Sequence, residues 1–402
     1  MKPSGFVPPT YPYDRLRPLA DAARSLPGGL VDLSIGDPYD PPPAAVIAAL
    51  ASSGAERNYP SGVGSARLLG AARAWIARRF GVELGAGEIA ACIGTKEFVA
   101  GIPHWLKLRD PSRDTVLYPE ISYPTYAMGA VLGGCRPVAV PARPDGTLDL
   151  GAIAADDCQR ALCLWVNSPS NPSGALDDLG AAAAFGRLHG IPVLSDECYA
   201  EFTWDGPPRT ILEHGLEGVL AVHSISKRSN CAGLRVGVYA GDPSLVHYLS
   251  ELRRHAGFMI PGPVQLAGAV ALEDDEHVAV QRARYAERLG YVAATLEAIG
   301  IAVVRPGGAF YLWVEAPERF EFADAGTRPD NAPSESAAWR LARQLAMLGG
   351  ALVSPGEFYG DAGVGHVRVA MVQPLDRLEL VARRLGVVGP IGTTSAAAGI
   401  TR

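Results

Sequence analysis

The sequence predicts an α/β fold in which a mostly parallel central sheet is flanked by helices and followed by a smaller α+β domain. Three observations carry that expectation. Short apolar runs at 115–118, 161–166, 191–194, 219–223 and 235–240 are each bounded by Gly, Pro, Asn, Asp or Ser, the punctuation of strands. The runs are apolar on both faces and alternate with helical stretches, as strands covered on both sides require. From about Asp274 the pattern changes to a long helix, a strand pair and a further helix.

In chain order, residues 1–40 are rich in proline and tyrosine without a sustained period, which suits an N-terminal arm that also contributes to the small domain. Within 65–81, Leu68, Leu69, Ala72, Trp75, Ile76 and Phe80 recur at helical spacing and predict one amphipathic helix. The five strand runs fall inside 41–270, the expected large domain. The small domain is expected over 271–388: a helix carrying Arg282, Arg284 and Arg288, strands at 301–304 and 309–314, a helix at 334–348 and a strand at 366–369. Residues 389–402 are rich in Gly, Thr, Ser and Ala without period and are expected to form a disordered tail. No internal repeat is found.

Composition narrows the function classes. A chain of 402 residues with 48% hydrophobic and 19% charged residues has ample material for a core without disulfide or metal staples. A net charge of −6 supplies no basic field for a phosphate backbone, so nucleic acid is not an expected partner. The six cysteines form no C-x-x-C pair and the eight histidines show no metal-ligand spacing, so no metal is expected. No apolar run approaches the roughly 20 residues that span a bilayer, and the N-terminus lacks a signal-peptide core; a cytoplasmic protein is the expectation. Only four lysines are present, at 2, 96, 107 and 227, which leaves lysine chemistry few candidates.

Ligands of open parallel sheets bind beyond the carboxyl ends of the strands. Three strand ends stand out there: Asn167-Ser168-Pro169-Ser170-Asn171-Pro172-Ser173-Gly174, Ser195-Asp196-Glu197-Cys198-Tyr199 and Ser224-Ile225-Ser226-Lys227, with Arg235 eight residues further on. Together they offer an amide, a carboxylate, a phenol, two hydroxyls, an amine and a guanidinium. Pyridoxal 5′-phosphate needs that set: an amine for its aldehyde, an anion at the pyridine nitrogen, donors at the phenolic oxygen and partners for the phosphate. No P-loop or dinucleotide fingerprint competes, since Arg67 stands where Gly62-x-Gly64 would need a third glycine.

With those residues in hand, nearly the whole chain up to about Val388 resembles the fold-type I pyridoxal-phosphate enzymes of the class I/II aminotransferase family. Further landmarks are Leu33-Ser34-Ile35-Gly36-Asp37-Pro38, Asn58-Tyr59-Pro60-Ser61-Gly62-Val63-Gly64, Gly94-Thr95-Lys96-Glu97, Ser122-Tyr123-Pro124-Thr125-Tyr126 and Gly365-His366-Val367-Arg368. Within the family, the stretch from Ser226 to Arg235, with Gly94 to Gly101 and Ser195 to Tyr199, is similar to actinobacterial N-succinyldiaminopimelate aminotransferases of lysine biosynthesis. The resemblance implies a pyridoxal-phosphate-dependent transferase fold and a set of roles. Lys227 would bind the cofactor as a Schiff base and move the substrate proton; Asp196 would pair with the pyridine nitrogen. Tyr199 and Asn171 would bond the phenolic oxygen, and Tyr123, with Tyr126 as the alternative, would stack on the ring. Thr95, Lys96, Ser224, Ser226 and Arg235 would hold the phosphate, joined by Tyr59 from the neighbouring subunit of a homodimer with composite sites. Arg368, Gly36 and Asn171 would bind the substrate α-carboxylate, unless Arg368 serves a surface ion pair.

The resulting expectation is a homodimeric, ping-pong aminotransferase acting on small amino and keto acids. Glutamate is the expected donor and an N-succinyl-2-amino-6-ketopimelate type compound the expected acceptor. A fold-type I lyase or cyclase of secondary metabolism shares every cofactor contact and is the first rival. A non-catalytic pyridoxal-phosphate sensor is the rival of another class, disfavoured because no helix-turn-helix segment precedes the domain.

Overall fold

The computed structural model describes residues 5–52, 54–318 and 335–387; the expected tail at 389–402 lies outside them. The chain divides into two compact units. One contains Asp37–Ala286 and Pro306–Tyr311, the other Met1–Gly36, Glu287–Arg305 and Leu312–Arg402.

The larger unit is built on a seven-stranded sheet. Its strands lie in the order Ile89–Cys92, Gly237–Gly241, Val219–Ser224, Val193–Asp196, Ala161–Asn167, Thr115–Pro119 and Arg136–Val140. Only Gly237–Gly241 runs against its neighbours. Side-chain alternation divides each central strand between two cores. Leu164, Val166, Val193, Val219 and Ala221 pack with Leu68, Ile76 and Leu272 on one face. Trp165, Leu194, Leu220 and Val222 pack with Phe98, Ile102 and Leu249 on the other. Both faces are therefore dry, and this is why the strands read as unbroken apolar runs.

The helix predicted over 65–81 spans Ala66–Phe80. Ser65 caps it, its Oγ accepting from the Leu68 N–H at 3.2 Å, and Gly81 ends it in the left-handed conformation at φ 71°. Of the apolar stripe chosen from the sequence, Leu68, Ala72, Trp75, Ile76 and Phe80 are buried and Leu69 is half-buried.

In the smaller unit, Ser354–Pro355, His366–Ala370 and, from Leu312 onward, the strand Tyr311–Glu315 form a three-stranded sheet, and Val31–Asp32 pairs with Ala351–Leu352. The strand expected at 301–304 does not form. Ile301 is buried, but Val304 is 81% exposed and Arg305-Pro306 follows it, so the stretch has no room to extend. Residues 17–24, read as part of an arm, form the helix Arg17–Arg24; only Ala20 and Ala23 of it are buried, too faint a stripe to show as a period. No described helix is long and apolar enough to cross a membrane.

Candidate active site

Register brings the polar residues to one end of the large sheet. Asn167 pairs with Asp196, Asp196 with Val222, and Ser224, two residues beyond, with Gly237, which also faces Cys92. Gly94 and Thr95 follow Cys92 at the start of the helix Thr95–Arg109.

At the centre is Asp196, half-buried at its strand end. The Tyr126 hydroxyl donates to its Oδ2 at 2.9 Å and the Cys198 N–H to its Oδ1 at 3.2 Å. Burial pushes the carboxyl above its ordinary value, while the bonds from Cys198 and Tyr126 oppose that rise. A carboxylate so placed gains from a cationic partner. Asn167 fixes the neighbouring loop: its amide nitrogen donates to the Asp196 carbonyl at 2.8 Å and its Oδ1 accepts from the Asn171 N–H at 2.8 Å. Tyr199, buried, shares a 2.8 Å hydroxyl contact with Tyr311.

The helix Thr95–Arg109 opens on Gly94, which has no side chain to occupy the first-turn N–H groups. Arg235 lies against that opening. A Cβ on Gly94 would fall 2.2 Å from Arg235 Nη2, so the guanidinium occupies the space that only glycine leaves. Arg235 is itself held at φ 55°, a conformation rare for a non-glycine residue, and donates to the Ala232 carbonyl at 2.9 Å. Close by, the Cys198 thiol reaches Thr95 Oγ1 at 3.3 Å, and Lys96 Nζ lies 5.6 Å from the centre of the Tyr123 ring.

Lys227 sits in the single turn Ile225–Arg228. Ser224 caps that turn, accepting from the Ser226 N–H at 3.1 Å, and its hydroxyl donates to Ser226 Oγ at 2.8 Å. The next residue anchors the turn from beneath. Arg228, 2% exposed, bonds Glu201, Asp275 and the carbonyls of Ala271 and Asp274.

Behind Asp196 lies a second buried pair, His223 Nε2 and Glu197 Oε2, 3.3 Å apart. Burial pushes the Glu197 carboxyl up to about 8 and the His223 imidazole down to about 4, so both are held neutral near pH 7.

A helix mouth lined by a guanidinium, a half-buried carboxylate and one lysine thus lie at the same strand ends as Asn171, Tyr123, Tyr199, Ser224 and Ser226. These groups fit a phosphorylated pyridine aldehyde: guanidinium and helix N–H groups for the phosphate, carboxylate for the ring nitrogen, amine for the aldehyde. Tyr59 is 95% exposed on its own chain. Gly36 and Arg368 belong to the other unit. There Arg368 is 2% exposed, donates to the Ser34 carbonyl, lies 3.4 Å from the Tyr13 hydroxyl and stacks 4.8 Å over the Tyr359 ring. This is a buried guanidinium and not one in a surface ion pair.

Two site neighbours escaped the sequence reading. Tyr126, weighed only as a ring stacker, bonds Asp196 across 70 positions, and Tyr311, read only as strand, meets Tyr199 across 112. Neither partnership has a local signal; an aromatic hydroxyl shortly after the Gly307-Gly308 pair was the only hint.

The family model of class I and II aminotransferases matches residues 29–385. The chain is 38% identical to 4-dedimethylamino-4-oxo-anhydrotetracycline transaminase OxyQ of Streptomyces rimosus, over 94% of this chain and 99% of that one. It is 33% identical to LL-diaminopimelate aminotransferase of Desulforudis audaxviator, over 95% and 96% of the two chains. Among solved structures, a probable N-succinyldiaminopimelate aminotransferase from Thermus thermophilus superposes with a TM-score of 0.79 at 29% identity, covering 93% of this chain and 98% of that one.

Proposed function

Since the chain belongs to the class I and II aminotransferases, which depend on pyridoxal phosphate, we propose that it moves the amino group of glutamate to an N-succinyl-2-amino-6-ketopimelate type keto acid. The observation that carries the reading is the strand-end cluster, in which Lys227, Asp196 and the Gly94–Arg235 helix mouth share one compact unit. The named relatives are transaminases, which sets the lyase, cyclase and sensor readings aside.

When bound, the cofactor supplies an aldehyde for the incoming amine and a ring that takes up the electron pair left at the substrate Cα. The chain does the rest. Lys227 Nζ would bind the cofactor aldehyde and would serve as the base that moves the substrate Cα proton. Asp196 keeps the pyridine nitrogen protonated, and its own burial favours sharing that proton. Tyr199 and Asn171 donate to the phenolic oxygen, and Tyr123 covers a ring face. Thr95, Lys96, Ser224, Ser226 and Arg235 hold the phosphate, with Tyr59 reaching in from the second subunit of a homodimer in the cytoplasm. Arg368 takes the α-carboxylate through its planar fork, assisted by Gly36 and Asn171.

One observation favours a second acceptor. The relation to OxyQ, along nearly its whole length, points to a ring ketone of the oxo-anhydrotetracycline type. The test is spectroscopic. Holoenzyme is mixed with a panel of amino acids, and loss of the visible cofactor band with formation of pyridoxamine phosphate is followed. Fast conversion by glutamate, then return of the band with the succinylated keto acid, supports the first reading. Return only with a tetracycline-type ketone supports the second, and no conversion by any donor overturns both.

A further inference from the structure

The segment Pro306–Tyr311 belongs to the larger unit although the chain on either side of it belongs to the other. It is clasped there on several sides. The Gly308 N–H donates to the Gly174 carbonyl at 2.9 Å, the Trp204 N–H to the Gly307 carbonyl at 2.7 Å and Trp204 Nε1 to the Ala309 carbonyl at 2.7 Å. The approach is as close as glycine permits: a Cβ on Gly308 would lie 2.5 Å from Pro169 Cβ, and one on Gly174 would lie 2.4 Å from the Gly308 oxygen. Ala309 is held at φ 60°, a strained value that persists only where the surroundings over-determine it. The strain turns Phe310 into a stack with Tyr285, centroids 4.5 Å apart, and presents Tyr311 edge-on to Tyr199, centroids 5.4 Å apart at 71°. The two hydroxyls meet at 2.8 Å, and both rings are buried.

A contact between two hydroxyls uses one proton. If Tyr199 donated it, Tyr199 would have no proton for another acceptor; if Tyr311 donates it, the proton of Tyr199 is available. We propose that Tyr311 is a positioning residue: its hydroxyl donates to the Tyr199 oxygen, so that Tyr199 donates to the phenolic oxygen of the cofactor with fixed direction and added strength. The inference rests on the role proposed above for Tyr199. Hydrogen bonds in series polarise one another, so the outer donor acts on the cofactor through the inner one.

The experiment is a pH titration of the visible band of the holoenzyme without substrate, in wild type, Tyr199→Phe, Tyr311→Phe and the double variant. A donor at the phenolic oxygen favours its anionic form, so losing donor strength raises the midpoint. Tyr311→Phe is expected to raise it by about half a pH unit and Tyr199→Phe by about one. The double variant is expected to match Tyr199→Phe, since Tyr311 has nothing left to act through. The ring retained by Phe keeps the packing on Phe310, which matched melting temperatures of the apoproteins would check. A Tyr311→Phe midpoint equal to wild type, or a shift that persists in the Tyr199→Phe background, overturns the inference while leaving Tyr199 in place. An unmoved midpoint in Tyr199→Phe overturns the role of Tyr199 and the inference with it.

Discussion

Replacing Gly94 with alanine separates backbone strain from phosphate binding. Gly94 sits at φ 70° and ψ 157°, a region essentially reserved for glycine, where a side chain costs on the order of 1–3 kcal/mol. The new Cβ would stand 2.2 Å from Arg235 Nη2 and 2.7 Å from its Cζ. Since the obstructing group is the far end of a flexible side chain, the guanidinium swings away and the helix mouth stays open. Two losses are expected. Urea unfolding of the apoprotein should show a stability lower by about 1–3 kcal/mol. The cofactor should lose a charge-assisted hydrogen bond worth about 1.5–3 kcal/mol, raising its Kd by roughly 10- to 150-fold in equilibrium dialysis. Arg235→Ala should raise Kd similarly, and adding Gly94→Ala to it should change Kd little. A Gly94→Ala protein that is less stable yet binds cofactor with wild-type affinity would refute the reasoning, as would Kd losses that simply add.

Three further outcomes follow from the same contacts. Arg228→Met removes a buried guanidinium from Glu201 and Asp275, which keep Arg79 and Arg78, and leaves the Ala271 and Asp274 carbonyls without its bonds, so stability in urea should fall by about 1–3 kcal/mol; an unchanged stability would show that the buried guanidinium contributes nothing net. His223 is neutral in the fold down to about pH 4 but takes a proton near 6.5 when unfolded, so its contribution is fully present above 6.5 and is lost as pH falls toward 4. His223→Gln should accordingly remove about one proton from the slope of stability against pH in that window, and an unchanged slope counts against a neutral His223. Mixing refolded Tyr59→Ala and Lys227→Ala subunits should restore up to about a quarter of wild-type activity if Tyr59 serves the neighbouring site, and no recovery with hybrids present would assign it to its own chain.

What the sequence made legible was whatever depended on burial and on position along a strand. Runs such as Ala161–Asn167, buried at every residue, announce a strand covered on both faces, and the polar residues that end them make up the candidate site. Two strands of the sheet were missed for physical reasons. Ile89–Cys92 is half alanine and has little β-branched character, and Arg136–Val140 is an exposed edge that tolerates Pro137. In the cluster, Lys227, Asp196 and Arg235 were visible because strand ends place them there. The Tyr126–Asp196 and Tyr199–Tyr311 contacts, and the anchoring of Arg228 by Glu201 and Asp275, join residues on separate elements and depend on the packing that brings those elements together.

Lys227 is proposed to carry the cofactor, and mapping the covalent bond tests this. Holoenzyme is reduced with borohydride, digested, and the labelled peptide sequenced by mass spectrometry. The label is expected on Lys227, with the Lys227→Ala protein unlabelled. A label on Lys96 or Lys107, or its persistence in the Lys227→Ala protein, would contradict it.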